Sequence, residues 1–196
     1  MLLPIIAYGH PVLKRKAEVI TKDYPKLIEL IDNMFETMYN ASGVGIAAPQ
    51  IGLSIRLFIV DTSPFSEDES LSNNEKNQLK SFKKIFINPE IIDQQGDKWS
   101  FEEGCLSIPN IRENILRQKK IKIQYFDENF NKYIESFDGL LARVIQHEYD
   151  HIEGILFTDK LSSFKKQLLK KKLLKISSGK LSFDYEMKFF KSSKKR

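Results

Sequence analysis

The pentapeptide HEYDH, His147 to His151, carries the strongest chemical signal in the chain. On a helix, residues four apart lie one turn above each other, so both imidazoles can reach one metal ion. Glu148 then lies beside the remaining coordination position, where a carboxylate can carry protons. This spacing predicts a metal-dependent hydrolase. His10 has no such partner, and we interpret it as a loop or packing residue.

A catalytic metal usually has three protein ligands and an open position, so a third ligand is needed. A metzincin-like continuation requires a histidine where this chain has Phe157. A downstream carboxylate ligand would have to be Asp184 or Glu186, and both lie in the lysine-rich end of the chain, residues 160–196. The preferred ligand is Cys105, the only cysteine, in the segment EGCLSIP. Taken alone, a single cysteine is more often a small buried hydrophobe, but beside a histidine pair its thiolate suits a metal.

A glycine-rich segment, GVGIAAPQIG from Gly43 to Gly52, has the Gly-x-Gly-x-x-Ala spacing of a dinucleotide-binding turn. That turn requires a strand before the glycines and a helix after them. Here a helical pattern precedes them, Pro49 prevents a long helix after them, and IRLFIVD from Ile55 to Asp61 is typical of a strand. A nucleotide site is therefore disfavoured.

Two helices and several strands must position these segments. The first helix is predicted to follow Asp23 as its cap, with Pro25 in the first turn and apolar residues at helical spacing from Leu27 to Met38. The second carries HEYDH, with Asp138 as its N-cap and Gly154 as its stop. The predicted strands, of which the last two form a hairpin, are Ile55 to Asp61, Ile85 to Ile92, Lys98 to Glu102, Lys120 to Phe126 and Tyr133 to Phe137.

Two further segments carry no assigned chemistry. Thr62 to Lys84 is polar and charged and predicts a long surface excursion. A last helix is predicted from about Leu161 to Ile176, with lysines opposite an apolar face. Strands grouped apart from helices predict an α+β fold. The apolar face of the last helix consists of Phe164, Leu168, Leu169 and Leu173.

Composition and charge limit the classes of protein further. A chain of 196 residues with 41% hydrophobic content can bury one substantial core. Residues 160–196 hold 13 Lys or Arg against two acidic residues and carry a charge of +11, whereas residues 1–159 carry −6. We interpret this tail either as a surface for nucleic acid or another polyanion, or as a solvated lysine-rich helix. The chain has one cysteine and an opening segment unlike a secretory signal, which favours a reducing cytoplasm. It has no apolar run of the roughly 20 residues needed to span a bilayer, so no membrane segment is expected.

The three segments GVGIAAPQIG, EGCLSIP and QHEYDHIEG occur in the order in which peptide deformylases carry them. The chain resembles that family from about Tyr8 to Leu161. The resemblance implies an α+β fold with antiparallel strands around the metal-binding helix. It assigns residues 1–160 to a catalytic domain, and leaves 161–196 as a basic helix and tail that is not an independent domain. The implied activity is removal of the formyl group from the N-terminal formylmethionine of new bacterial polypeptides, with release of formate.

The resemblance also implies a metal centre. Cys105, His147 and His151 would hold one divalent ion, with ferrous iron expected and zinc, nickel or cobalt also accommodated. Glu148 would accept a proton from the attacking water and pass it to the leaving amine. The ligand types by themselves do not choose among these metals.

By the same resemblance, Gln50 and the backbone N–H of Leu106 would donate hydrogen bonds to the formyl oxygen as it becomes negative. Helix spacing places Val144 and Leu140 one and two turns before the ligands. Arg143 shares their face and is expected to bury only its stem. The expected substrate-binding residues are Val44, Gly45, Phe101, Arg112, Leu140 and Val144.

Two alternatives stay open at this point. A metallopeptidase that cuts internal peptide bonds would share the metal chemistry, and a basic nucleic-acid-binding protein would use the metal structurally. A structural metal site in a nucleic-acid-binding protein usually has four protein ligands, and no fourth ligand is evident in the sequence. The expected partners are formyl-Met nascent peptides and, through the basic helix, the ribosome. The sequence does not determine the oligomeric state, and neither the excursion nor the tail is expected to touch the motifs.

Overall fold

The structure is a computed structural model that describes residues 1–190. Those residues form one mixed structure of helices and mainly antiparallel strands, which confirms the predicted α+β class. The helices are α1 (Leu27–Asn40), α2 (Asn73–Lys80), α3 (Gly139–Ile152) and α4 (Ser163–Ser177). The strands are β1 (Ile5–Ile6), β2 (Gly45–Ala47), β3 (Leu57–Asp61), β4 (Lys83–Cys105), β5 (Ile108–Phe126), β6 (Lys132–Asp138) and β7 (Met187–Lys188).

Five strands form one antiparallel sheet in the order β2-β3-β4-β5-β6. The predicted hairpin of β5 and β6 is confirmed. The runs Ile85 to Ile92 and Lys98 to Glu102 belong to one long strand, β4, because the polar residues between them still pair with β5. Register shifts along this pair, the last between Gly104 and Cys105, bend it before its turn.

The helix α3 packs its apolar face against the sheet. Val144, Ile145 and Ile152 share a core cluster with Phe58 and Phe86 of β3 and β4. This burial, more than intrinsic helix propensity, stabilises a helix of 14 residues. The motif HEYDH is therefore carried by one of the best-packed elements of the molecule.

The two ends of α3 agree with the predicted caps. Asp138 is the N-cap residue, and Gly154 follows the helix with a φ of 74°. A Cβ at Gly154 would lie 2.8 Å from the backbone carbonyl of Lys14, so both conformation and space require glycine there.

The start of α1 differs from the prediction. Its N-cap is Lys26, with a left-handed φ of 54°, and Asp23 lies outside the helix. Pro25 also precedes the helix, because the chain turns between it and Leu27. The apolar residues of α1 are buried as predicted, with Ile31, Met34 and Met38 in one cluster with β2 and β3.

The excursion from Thr62 to Lys84 is more ordered than predicted. It contains a short 3₁₀ turn at Ser63–Glu67 and the helix α2, which begins with a capping box formed by Ser72 and Glu75. Leu79 is buried, and its carbonyl accepts a hydrogen bond from the hydroxyl of Thr62 at 2.8 Å. The segment therefore folds against the body.

The tail also packs on the body. In α4, Leu173 and Ile176 are buried in a cluster with Leu13 and Phe157, whereas Leu168 on the predicted apolar face is 65% exposed. Beyond the helix, β7 pairs in parallel with β1. No helix within residues 1–190 combines the length and the apolar character needed to cross a bilayer. Four basic residues of the tail lie outside the described residues: Lys191, Lys194, Lys195 and Arg196.

We predict that α4 contributes to the stability of the whole chain. Ile176→Ala should lower the free energy of unfolding by about 2–4 kcal/mol, because it opens a cavity among buried side chains. The matched change Leu168→Ala, on the exposed face of the same helix, should change it by less than about 0.5 kcal/mol. Urea unfolding measures both values. Equal effects of the two changes would contradict the packing of α4.

Candidate active site

Three side chains that can bind a metal ion meet beside one cleft. Cys105 ends β4, and His147 and His151 lie one turn apart on α3. One ligand atom from each lies within 4.8 Å of the others, and Cys105 Sγ is 3.3 Å from His151 Nε2. A thiolate with two imidazoles suits zinc and other borderline divalent metals, and three protein ligands leave a position open. The residues therefore fit a metal ion.

A buried carboxylate, Glu103, holds His147 from behind. Glu103 Oε2 is 2.9 Å from His147 Nδ1. Arg117 donates to both carboxylate oxygens, at 2.6 and 2.9 Å, and Arg143 donates to Oε1 at 2.8 Å. Arg117 also donates to Asp150 at 2.6 Å. A carboxylate that accepts from Nδ1–H leaves Nε2 of the imidazole free for a metal.

These neighbours shift the pKa values of the site in opposite directions. Burial opposes ionisation of Glu103, but hydrogen bonds from Arg117 and His147 outweigh it and hold the pKa of Glu103 well below its usual range. Burial opposes protonation of His147, yet contacts with Cys105 and Glu103 raise its pKa well above the usual value. Burial and the nearby His147 lower the pKa of His151 well below the usual value of a histidine. Metals bind the deprotonated imidazole, so a raised pKa of His147 places a proton in competition with the metal.

Glu148 is buried next to the ligands without an obvious structural partner. It is 4% exposed, and among residues 1–190 nothing forms a hydrogen bond with its Oε2. The strand β2 approaches so closely that a Cβ at Gly45 would lie 2.6 Å from Glu148 Oε1. Burial raises the pKa of Glu148 to about 7. A carboxyl group with this pKa can accept and donate a proton near neutral pH.

The amide of Gln50 is oriented by the backbone before it. Gln50 is buried in the 3₁₀ turn Ala48–Ile51, and its Oε1 accepts from the N–H of Ala47 at 2.8 Å. Its Nε2 therefore faces the other way, 3.5 Å from Cys105 Sγ. Leu106, the other predicted donor, follows Cys105 in the chain and lines the cleft. Both predicted donors thus lie next to the metal ligands.

The cleft has a volume of about 940 Å³. Arg112 lies exposed on β5, opposite Gly104 in the sheet. Leu140 lies one turn before Val144 on α3 and is not among the described residues that line the cleft. Five of the six predicted substrate-binding residues line it: Val44, Gly45, Phe101, Arg112 and Val144.

Three further lining residues come from the two segments to which the sequence assigned no chemistry. Pro64 and Phe65 belong to the excursion, and Tyr185 belongs to the tail. The expectation that neither segment touches the motifs is therefore wrong. The period-two alternation of apolar and polar residues in LSFDYEMKF predicts a strand and could have identified Tyr185. Glu103 was also missed, although it lies two residues before Cys105 and so on the same face of a strand.

Arg143 is buried completely, so the expectation that only its stem is buried is wrong. It is 2% exposed. Besides its bond to Glu103, the guanidinium donates to the carbonyls of Ile115 at 2.9 Å and Trp99 at 2.7 Å, and it lies 4.5 Å from the centroid of the Trp99 ring. A buried charge is tolerated only when paired in this way.

Comparisons with known proteins agree on one family. The family model for polypeptide deformylases matches residues 2–167. A peptide deformylase of Christiangramia forsetii is 61% identical over 196 residues, which cover 100% of both chains. A peptide deformylase of Flavobacterium psychrophilum is 61% identical over 188 residues, 96% of this chain and 97% of the relative.

Solved structures give the same result for the fold. The peptide deformylase of Thermotoga maritima matches with a TM-score of 0.72 and 37% identity, over 83% of this chain and 99% of that chain. A Plasmodium falciparum peptide deformylase matches with a TM-score of 0.77 and 32% identity, over 89% of this chain and 95% of that chain. The overall fold is thus shared with experimentally determined structures over most of the chain.

We predict that Glu103 stabilises the fold and the metal centre together. Glu103→Gln removes the charge that faces two buried guanidinium groups, so the free energy of unfolding of the metal-free protein should fall by about 3–5 kcal/mol. Metal affinity should fall about 10–100-fold, because His147 loses its orienting carboxylate. Urea unfolding and competition with a chelator measure the two effects. The control is Glu102→Gln at the exposed neighbouring position, and similar results for both variants would contradict the prediction.

Proposed function

The chain belongs to the polypeptide deformylase family, whose members remove the formyl group from N-terminal methionine, and from this premise we propose how its residues perform that hydrolysis. The supporting observation is the convergence of Cys105, His147 and His151 beside a buried carboxylate, Glu148, at a cleft. The substrate is the formylated N-terminus of a new polypeptide, and the products are formate and a free amine.

The proposed cofactor is one divalent ion, Fe²⁺ in the cell, held by Cys105, His147 and His151. Zinc, nickel or cobalt would suit the same sulfur and nitrogen donors. When bound, such an ion makes a coordinated water easier to deprotonate and polarises a carbonyl group. The buried Glu103 keeps the His147 ring in the orientation that metal binding requires.

Glu148 is the proposed proton carrier. Its carboxylate accepts a proton from the attacking water and delivers it to the amine nitrogen when the C–N bond breaks. Among residues 1–190 its Oε2 has no hydrogen-bond partner, which supports this role because that oxygen is available to water or substrate. The close approach of Gly45 limits its side chain to one side of the cleft.

Gln50 and Leu106 are the proposed donors to the formyl oxygen. Because the N–H of Ala47 holds Gln50 Oε1, the amide nitrogen faces the cleft without rotation of the side chain. The backbone N–H of Leu106 would supply the second hydrogen bond. Donors fixed in advance stabilise the developing negative charge, and loss of one such donor typically costs about 3 kcal/mol in the transition state.

The proposed pocket for the methionine side chain is formed by apolar residues of the cleft. Val44, Phe101 and Val144 supply its walls, and Gly45 lets the substrate approach the sheet edge. Leu140, one turn before Val144 on α3, would act from behind this wall, since it does not line the cleft itself. Arg112 lies at the exposed side, where its guanidinium could meet the carbonyl groups of the peptide. A methionine side chain fits such an apolar wall because it buries a flexible thioether.

We also propose that the basic face of α4 binds ribosomal RNA. Lys170, Lys171 and Lys175 are exposed on this helix. Lys165 instead pairs with Glu113 at 2.6 Å and is used within the molecule. Deformylation acts on chains that emerge from the ribosome, so attachment there would concentrate the enzyme near its substrate.

The first prediction concerns Glu148. Glu148→Ala should retain the metal but lose turnover by a factor on the order of 10²–10⁴, because it removes the proton carrier and no ligand. Cys105→Ala should instead lose the metal. Formate release from a formyl-Met tripeptide by anaerobically prepared protein, with metal analysis of the same sample, measures both. A Glu148→Ala variant as active as the parent would sink the proposed mechanism.

The second prediction concerns α4. Replacing Lys170, Lys171 and Lys175 by Glu should abolish ribosome co-sedimentation at low salt, because lysines that neutralise phosphates supply the salt-dependent part of the binding free energy. Hydrolysis of short formyl peptides should stay within about twofold of the parent, since these lysines lie outside the cleft. The control replaces three exposed lysines of the sheet and makes the same change in net charge. If both variants lost binding equally, the attachment would be non-specific. The control lysines are Lys98, Lys120 and Lys122.

A further inference from the structure

The last described segment returns from α4 to the cleft. Its side chains alternate between half-buried and exposed, and β7 pairs with β1 through hydrogen bonds such as that from Ile5 N–H to the carbonyl of Glu186 at 2.9 Å. This pairing fixes which side chains face the body. The half-buried residues are Leu181, Phe183, Tyr185, Met187 and Phe189.

Tyr185 contacts the turn that follows the metal-binding cysteine. Leu106 and Ser107 are the two residues between β4 and β5. The hydroxyl of Tyr185 donates to the carbonyl of Leu106 at 2.7 Å. The carbonyl of Ser107 accepts from the N–H of Tyr8 at 2.9 Å. The segments around β7 and β1 thus each hold one carbonyl of this turn.

The turn needs these outside partners. In a two-residue turn, the carbonyls of the central residues form no hydrogen bond within the turn itself. Burial raises the pKa of Tyr185, so its hydroxyl stays protonated and acts as the donor. The side chain of Leu106 packs against the core cluster that contains Met38 and Ile46. Leu106 is therefore held through both its carbonyl and its side chain.

We propose that Tyr185 is a positioning residue for deformylation: by holding the carbonyl of Leu106, it fixes the adjacent N–H of Leu106 in the direction of the formyl oxygen. The carbonyl and the N–H of Leu106 lie in the two peptide planes that meet at its Cα, so a held carbonyl plane together with a packed side chain leaves the N–H plane fewer orientations. A donor that must reorient during the reaction stabilises the transition state less than one fixed in advance. This inference rests on the proposed role of Leu106.

The test is Tyr185→Phe, which keeps the ring and removes only the hydroxyl. We expect kcat to fall about fivefold, the effect of losing one hydrogen bond, while KM changes less than about twofold. A second measurement does not depend on activity. In the metal-free protein, the backbone amides of the fragment that contains Leu106 and Ser107 should exchange hydrogen faster than in the parent.

Tyr125→Phe is the matched control. The hydroxyl of Tyr125 donates to Glu135 and accepts from Lys84 at 3.0 Å, so this change also removes a hydrogen-bonded hydroxyl, here from a partly exposed ion pair. It should lower the melting temperature but leave kcat and the exchange of the Leu106 fragment at parental values. An equal fall in kcat for both variants would overturn the proposal, because a general loss of stability would then be sufficient.

Gln50→Leu separates failure of this inference from failure of the proposed function. It should lower kcat whether or not Tyr185 matters, because it removes the other donor. If Gln50→Leu lowers kcat while Tyr185→Phe changes neither kcat nor exchange, the role of Tyr185 is wrong and the mechanism stands. An effect of Tyr185→Phe on KM alone would also overturn the inference, since Tyr185 would then be a substrate contact. If Gln50→Leu has no effect, the proposed donor pair itself is wrong.

Discussion

The carboxylate of Glu103 is the interaction on which the rest of the site depends. It connects β4 to α3 through His147 and Arg143, and to β5 through Arg117. All four groups are buried, so each charge requires the others in place. A shift of α3 against the sheet would leave at least one of these charges without a partner. The geometry of the metal ligands is therefore coupled to the packing of the whole domain.

Close backbone approach is the second constraint. Gly45 lets β2 lie against Glu148, and Gly154 lets the chain after α3 cross the backbone at Lys14. At Gly154 a side chain would collide with the backbone of Lys14, and at Gly45 it would displace the side chain of Glu148. The carboxylate of Glu148 is thus confined by a strand, whereas His147 and His151 are positioned by a helix. Sites built on such elements keep their geometry better than sites built on loops.

The basic tail contributes buried contacts to the fold as well as charge to the surface. Ile176 closes the core on one side, and Tyr185 reaches the turn beside Cys105, yet the lysines of α4 stay at the surface. Removal of the tail would therefore disturb the body, whereas charge changes on its surface would leave these buried contacts in place. The excursion behaves similarly, since Phe65 reaches the cleft from a segment that is mostly polar.

The sequence was sufficient for the parts of the site that depend on local spacing. The one-turn separation of His147 and His151 is a property of any helix, and alternating apolar residues predicted the hairpin of β5 and β6. The first residues of α1 were predicted wrongly, because the left-handed turn at Lys26 replaces a side-chain cap. Helix ends depend on a few backbone angles, which composition does not determine.

The sequence by itself determined the fold class, the family and the set of chemically competent residues, because motif spacing and hydrophobic periodicity are local properties. Only the tertiary structure decided which residues from distant parts of the chain contact the residues of these motifs. Glu103 with Arg117, Arg143 with the Trp99 ring, and Tyr185 with Leu106 are pairs that lie far apart in the chain or on different elements. Such contacts arise when strand register and helix packing bring buried groups together, and a buried polar group must then find whichever partner the fold supplies.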